Sequence, residues 1–463
     1  MMSDFVCVSP VDGRELARRP YMSDQAVKGV LQQARAAQRE WAQVPIAERA
    51  AYVMRFVEAM RAMDSDIVPE LALQMGRPVR YGGEFRSFEE RVRYMVNIAE
   101  SSLAPTTAFD EQAGIQRFIK REPLGIVLTI APWNYPYLTA ANSIIPALMA
   151  GNAVILKHAA QTLLVGERFA AAFAKAGLPS GLFANVAISH EQVSRLTGAG
   201  EVNHVSFTGS VAGGRAVERA AAGSFTTIGL ELGGKDPGYV RPDADVRKAV
   251  ETLVDGAFFN SGQCCCAIER IYVHEKLFDE FVEQAVSIAS GYVLGNPLEA
   301  GTTLGPMAAV RFADGVRSQI QEAVAAGAKP LLDSRSFSAD REGTAYLAPQ
   351  IFVNVNHSMR MMVEETFGPI VGIMKVKSDE EAVQLMNDSP YGLTASIWTN
   401  DADAARRLGD RIETGTVFMN RCDYVDPGLA WTGVKDTGRG VSLSRLGYDA
   451  LTRPKSFHLR QLT

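Results

Sequence analysis

Between Ser23 and Met63 the apolar residues of SDQAVKGVLQQARAAQREWAQVPIAERAAYVMRFVEAMRAM recur at spacings of three and four, with helix starts at Ser23 and at Pro45-Ile46. That period predicts amphipathic helices. Downstream the pattern shortens. IQRFIKREPLG reads as a strand ahead of Gly125, and GIVLTIAP (125–132), NAVILK (152–157), HVSFTGS (204–210) and TIGLELGG (227–234) read as further strands. A helix from about Thr162 to Ala176 and another after HVSFTGS separate them. Strand and helix in alternation predict a parallel sheet covered by helices. The second half repeats the alternation, with a helix from about Val246 to Asn260, then RIYVHE, VGIMKV and SIWT as strands. Two α/β halves therefore meet at a hinge near Gly233-Gly234, with no repeat, low-complexity tract or long linker. The tail RPKSFHLRQLT alternates as a half-buried strand does, and such a strand needs a partner.

Composition narrows the function. A chain of 463 residues suggests two or three domains at about 100–200 residues each. Hydrophobic residues at 47% and charged residues at 21% describe a globular protein. A net charge of -5, with no basic stripe, points to small molecules rather than nucleic acid. MMSDFVCVSP lacks the basic flank and apolar core of a signal peptide. The most apolar stretch, LTAANSIIPALMAGNAVIL, is interrupted by Asn142, Ser143, Pro146, Gly151 and Asn152, so no membrane span is expected and the cytoplasm is the expected location.

Three of the five cysteines, Cys264 to Cys266, are adjacent. An odd count with a triplet does not make a disulfide framework. Zinc sites use separated ligand pairs, and the six histidines show no matching spacing, so no metal is expected. Reducing surroundings fit better, and the triplet by itself leaves a redox device, a packing cluster or a nucleophile open.

APWNYP (131–136), ILKHAAQT (155–162), FTGSVAGG (207–214), LELGGK (230–235), FNSGQCC (259–265) and EETFGPI (364–370) together resemble the aldehyde dehydrogenase superfamily, in order and spacing along nearly the whole chain. The resemblance implies an α/β fold with a Rossmann-type cofactor domain (1–104 and 124–233), an α/β catalytic domain (234–433) and a small β oligomerisation element (105–123 and 449–463), with 434–448 connecting. It implies oxidation of a small-molecule aldehyde to the acid with NAD or NADP, in a homodimer or homotetramer. Cys265 becomes the nucleophile, Asn134 an oxyanion-hole donor with the Cys265 backbone N–H, and Glu231 the base that activates water. Lys157 becomes the adenosine-ribose ligand, and Gly209, Ser210 and Gly214 the pyrophosphate turn. Glu365 becomes the acid on the nicotinamide ribose, with Phe367 and Trp133 beside it. Tyr135, Tyr137, Thr139, Phe259, Val425 and Trp431 become the walls of the aldehyde tunnel, while Cys264 and Cys266 read as packing residues.

Departures from the family pattern are informative. His158 follows Lys157 in place of the usual proline, and Ala160 stands where NAD-preferring members often carry an acid, leaving the choice of cofactor open. Val441 and Ser442 replace an arginine and a relay glutamate. At the pocket mouth, Arg421 suits a carboxylate, whereas Asp423 and Asp426 beside Tyr424 suit a cationic aldehyde. Retention of Glu231 favours water over coenzyme A as acyl acceptor. An inactive binding protein is the remaining reading, and the presence of Cys265, Asn134, Glu231 and Glu365 together weighs against it.

Overall fold

A computed structural model describes residues 4–107 and 114–461. Residues 1–3 at the start, and 108–113 and 462–463 of the expected oligomerisation element, lie outside the described residues.

Two sheets dominate. The first has six strands; its parallel members are Phe183–Asn185, Ala153–Lys157, Ile126–Ile130, His204–Thr208 and Thr227–Glu231 in spatial order, and Gly438–Arg439 closes one edge antiparallel. The seven-stranded second sheet centres on Asp236–Val240, Ile268–His274, Ile370–Val376 and Thr394–Trp398, all parallel. The chain crosses between the sheets in the four residues from Leu232 to Lys235, at the expected hinge. Ile126–Ile130, Ala153–Lys157 and Ile268–His274 are fully buried, as strands of sheets with helices on both faces are.

The amphipathic pattern at 23–63 forms the helices Asp24–Trp41 and Ile46–Arg61, and Ser23 caps the first by accepting from the Ala26 N–H. The tail forms Thr452–Arg460 and pairs antiparallel with Ile115–Pro123 over nine residues, with Phe118 and Phe457 stacked across the ribbon.

Among the helices that the sequence reading does not name, one has a pattern that misleads. Pro136–Met149 is buried on nearly every face, so it has no polar side and reads as a broken apolar run rather than as an amphipath. It lies directly behind the motif that contains Asn134.

Candidate active site

The loop that leads into Cys264–Cys266 is built from strained backbone. After the helix Val246–Phe258, Asn260 and Ser261 take left-handed conformations (φ 54° and 57°), followed by Gly262 at 70°. Each non-glycine residue there costs roughly 1 kcal/mol or more, so the neighbours must hold it. They do: Ser261 Oγ donates to Gly305 O (2.8 Å), Gln263 Nε2 to Asn260 O (3.1 Å), and Ala308 N to Gln263 Oε1 (2.8 Å). A Cβ on Gly234 would sit 2.3 Å from Cys265 O, so only glycine lets the hinge pass this close to the loop.

Cys265 stands at the junction of two cavities. The larger, about 670 Å³, runs from Lys157 and His190 past Gly209 and Ser210 to Trp133, Asn134, Glu365 and Phe367. The smaller, about 200 Å³, holds Glu231, Tyr135, Thr139, Phe259, Val425 and Trp431. Cys265, Thr139, Thr208 and Leu232 line both.

Asn134 is buried, and its Nδ2 donates to Gln263 O (3.2 Å), leaving a second amide N–H available. Among the described residues, no protein acceptor takes the Cys265 backbone N–H.

Glu231 ends its strand with one oxygen accepting from Thr208 Oγ1 (3.2 Å) and the other from Ser442 Oγ. Glu231 lines two cavities, and burial raises its pKa above the usual carboxylate range against the pull of those hydroxyls. Ser442, where the family pattern has a relay acid, is therefore a hydrogen-bond partner of the carboxyl.

The three cysteine sulfurs lie within 4.8 Å of one another, the one such cluster of three metal-ligand side chains among the described residues. Cys264 and Cys266 sulfurs are 3.4 Å apart. S–H donation from Cys265 and Cys266 holds Cys264 well below the usual thiol range, and the same exchange raises Cys265 and Cys266. One thiolate in the cluster is favoured and a second is repelled. Cys266 is buried and Cys264 half-buried, and both line the smaller cavity beside Cys265.

In the larger cavity Lys157 ends a buried strand, and burial lowers its pKa to about 8. The helix Val211–Ala221 points its N-terminus into the cavity, where Ser210 caps it by accepting from the Gly213 N–H (3.2 Å). Gly214 does not line the cavity; its Cβ position abuts the Leu232 side chain, and Gly213 takes its place at the wall. Trp133 stacks on Phe312 and meets Phe367 edge-on. Glu365 accepts from the Gly234 N–H (3.1 Å), and burial with the nearby Glu269 charge raises its pKa to about 8. Glu269, which the sequence reading missed, accepts from the Thr366 and Phe367 N–H groups and pairs with Lys235, holding this loop in place.

Tyr137 does not reach the aldehyde cavity. It is buried on the far side of its helix and stacks on Phe169, because Pro136 starts the helix and turns Tyr135 and Thr139 toward the cavity instead. At the mouth, Arg421 lies over the Tyr424 ring (3.5 Å) rather than among the lining residues.

Arg77 and Glu84 were invisible to motif reading. Their ion pair (2.8 Å) is buried, and Arg77 Nη2 donates to Asn134 O (2.6 Å) while Glu84 Oε2 accepts from Tyr137 and Leu138 N–H groups. One pair thus fixes the Asn134 carbonyl and caps the helix that follows. Arg77→Lys keeps charge but loses the fork; kcat should fall about ten-fold, with cofactor Kd changed less than two-fold. Arg77→Ala strands Glu84 and should cost about 3–5 kcal/mol in chemical denaturation.

The sequence matches the model of the aldehyde dehydrogenase family over residues 2–457. It is 32% identical to the succinate semialdehyde dehydrogenase [NAD(P)+] Sad of Escherichia coli over 445 residues, covering 96% of this chain and 95% of that protein. Its fold superposes on succinate-semialdehyde dehydrogenase from Burkholderia pseudomallei with a TM-score of 0.94 at 29% identity, covering 99% and 95% of the two chains. Against succinic semialdehyde dehydrogenase from Streptococcus pyogenes in complex with NADP+ the TM-score is 0.92 at 27% identity, covering 98% and 100%. The likeness takes in both sheets and the loops between them, and the chain belongs to the aldehyde dehydrogenase family.

Proposed function

We propose that Cys265, Asn134 and Glu231 divide between them the oxidation of an aldehyde to its carboxylic acid, with NAD+ or NADP+ in the larger cavity. The observation that carries this reading is the position of Cys265, the nucleophilic side chain common to both cavities. An aldehyde in the smaller cavity and a dinucleotide in the larger would meet at its sulfur.

The residues of the larger cavity fit a dinucleotide. A helix N-terminus for the pyrophosphate, Lys157 for one ribose, Glu365 for the other and the aromatic corner of Trp133 and Phe367 follow one another along it. When bound, the nicotinamide accepts a hydride. Lys157 and His190 face this cavity, and Ala160 offers no carboxylate to repel a 2′-phosphate, so NADP+ is accepted as well as NAD+. The NAD(P)+ and NADP+ in the names of the relatives agree with this.

The Cys265 thiolate adds to the aldehyde carbon, and the Asn134 amide and Cys265 N–H hold the resulting oxyanion. Loss of the hydride leaves a thioester on Cys265. Glu231 then takes a proton from water as the water oxygen attacks the acyl carbon, the C–S bond breaks, and the acid departs with the thiolate restored. Ser442 and Thr208 orient the Glu231 carboxyl for that step.

The long ribbon of Ile115–Pro123 and Thr452–Arg460 carries no third strand among the described residues, which supports its use in a homodimer or homotetramer. No helix among the described residues is long and apolar enough to cross a membrane, and five unpaired cysteines suit the reducing cytoplasm. With an aldehyde panel and either cofactor, each turnover should yield one reduced cofactor and one free acid without coenzyme A. Turnover only on addition of coenzyme A would replace water by a thiol acceptor and remove the role given to Glu231.

A further inference from the structure

One charged side chain in the smaller cavity has no part in the chemistry above. Arg91, on the helix Phe85–Leu103, sits on the buried stripe of Phe88, Val92, Met95 and Ala99 and is itself only 7% exposed. Its Nη1 donates to Asn142 Oδ1 (2.8 Å) and to Leu138 O (3.2 Å). Its Nε is buried with no hydrogen-bond partner, and among the described residues no carboxylate stands within ion-pair distance of the guanidinium. A buried guanidinium without an ion-paired carboxylate is costly, and an anion in the cavity that Arg91 lines would recover part of that cost.

The other charged groups of the cavity do not pair with Arg91. Glu90 is exposed and accepts from Tyr424 OH (3.2 Å), and Asp423 is exposed at the mouth. Glu231 is the carboxylate that Arg91 feels most strongly through space, but its oxygens are taken by Ser442 and Thr208. Glu84 is paired with Arg77. Among the described residues, Arg91 is thus the one cationic side chain that lines this cavity.

We propose that Arg91 selects aldehydes that carry a carboxylate at the far end of a short chain, its guanidinium meeting the carboxylate from the cavity wall while the aldehyde carbon meets Cys265. The inference rests on the aldehyde oxidation proposed above and specifies its substrate class. A carboxylate suits the site because it is planar and can take two N–H donors side by side. A cationic aldehyde would face the guanidinium unpaired.

The test compares 4-oxobutanoate, butanal and 4-aminobutanal on the wild-type enzyme, Arg91→Gln and Arg91→Lys, with saturating cofactor. The wild type should favour 4-oxobutanoate over butanal by about 10² in kcat/KM, the scale of a buried charge-assisted contact. Arg91→Gln should lose most of that preference through KM while butanal falls less than about five-fold, and Arg91→Lys should recover part of it. A role confined to positioning Glu231 through Asn142 would instead lower kcat for 4-oxobutanoate and butanal alike, and would overturn the inference. So would a wild-type preference for 4-aminobutanal, or equal use of all three, with the oxidation itself left standing. Absence of reduced cofactor with every aldehyde would overturn the oxidation and this inference together. As a check on the intact protein, succinate should compete with butanal at least ten-fold more tightly than butyrate, and equal inhibition counts against Arg91.

Discussion

Cys265→Ala should abolish formation of reduced cofactor, lowering kcat at least 10⁴-fold, while the same change at Cys264 or Cys266 leaves measurable turnover. The asymmetry follows from position. All three sulfurs share protons, and Cys264 is the one held low. Yet only Cys265 lines both cavities, so only its sulfur can hold an acyl carbon against a nicotinamide. Cys264 faces the aldehyde cavity alone, and its replacement should alter the pH at which the thiolate forms, because one of the S–H groups exchanging with Cys265 is removed. Cys266 lies in the core, so its loss should register first in stability. Steady-state rates with both cofactors check the order. Full activity in Cys265→Ala with loss in Cys264→Ala would move the nucleophile one residue back.

Glu231→Gln should give a burst of one equivalent of reduced cofactor per site, followed by turnover slowed about 10²–10³-fold, within the range for removal of a general base. The amide keeps the hydrogen bonds to Ser442 and Thr208 in reach but cannot take the proton from water. Because burial raises the Glu231 pKa, the carboxylate form is lost at a higher pH than for a solvated glutamate. Wild-type hydrolysis should therefore rise with pH through that elevated pKa and fall as pH drops below it. That limb should vanish in Glu231→Gln. Stopped-flow absorbance of the reduced cofactor separates burst from turnover; loss of the burst would place Glu231 before hydride transfer.

The sequence reading was strongest where chemistry and local pattern coincide. The alternating strands and the hinge at Gly233-Gly234 were legible because parallel strands are short apolar runs and the crossing needs glycine against Cys265 O. Cys265, Glu231 and Asn134 do converge, on loops at the ends of such strands. Tyr137 and Gly214 failed for a shared reason: in a helix, adjacent residues face different ways. A motif that names a segment does not say which of its members points inward. Arg77 and Glu84 had no local signal, since their roles arise from contact with residues more than fifty positions away. Arg91 did have one. An arginine inside the stripe Phe88, Val92, Met95 and Ala99 is a charge on the buried face of an amphipathic helix. Reading 85–103 as a helix would have exposed it.

The central claim is that an acyl group rests on Cys265 before water removes it. Glu231→Gln should be mixed with cofactor and aldehyde, quenched in acid after the burst, digested, and the peptide spanning 264–266 sequenced by mass spectrometry. The added mass of one acyl group should lie on Cys265, in proportion to the burst. An acyl group on Cys264, or a burst of reduced cofactor with no acyl group on any of the three cysteines, would contradict the account.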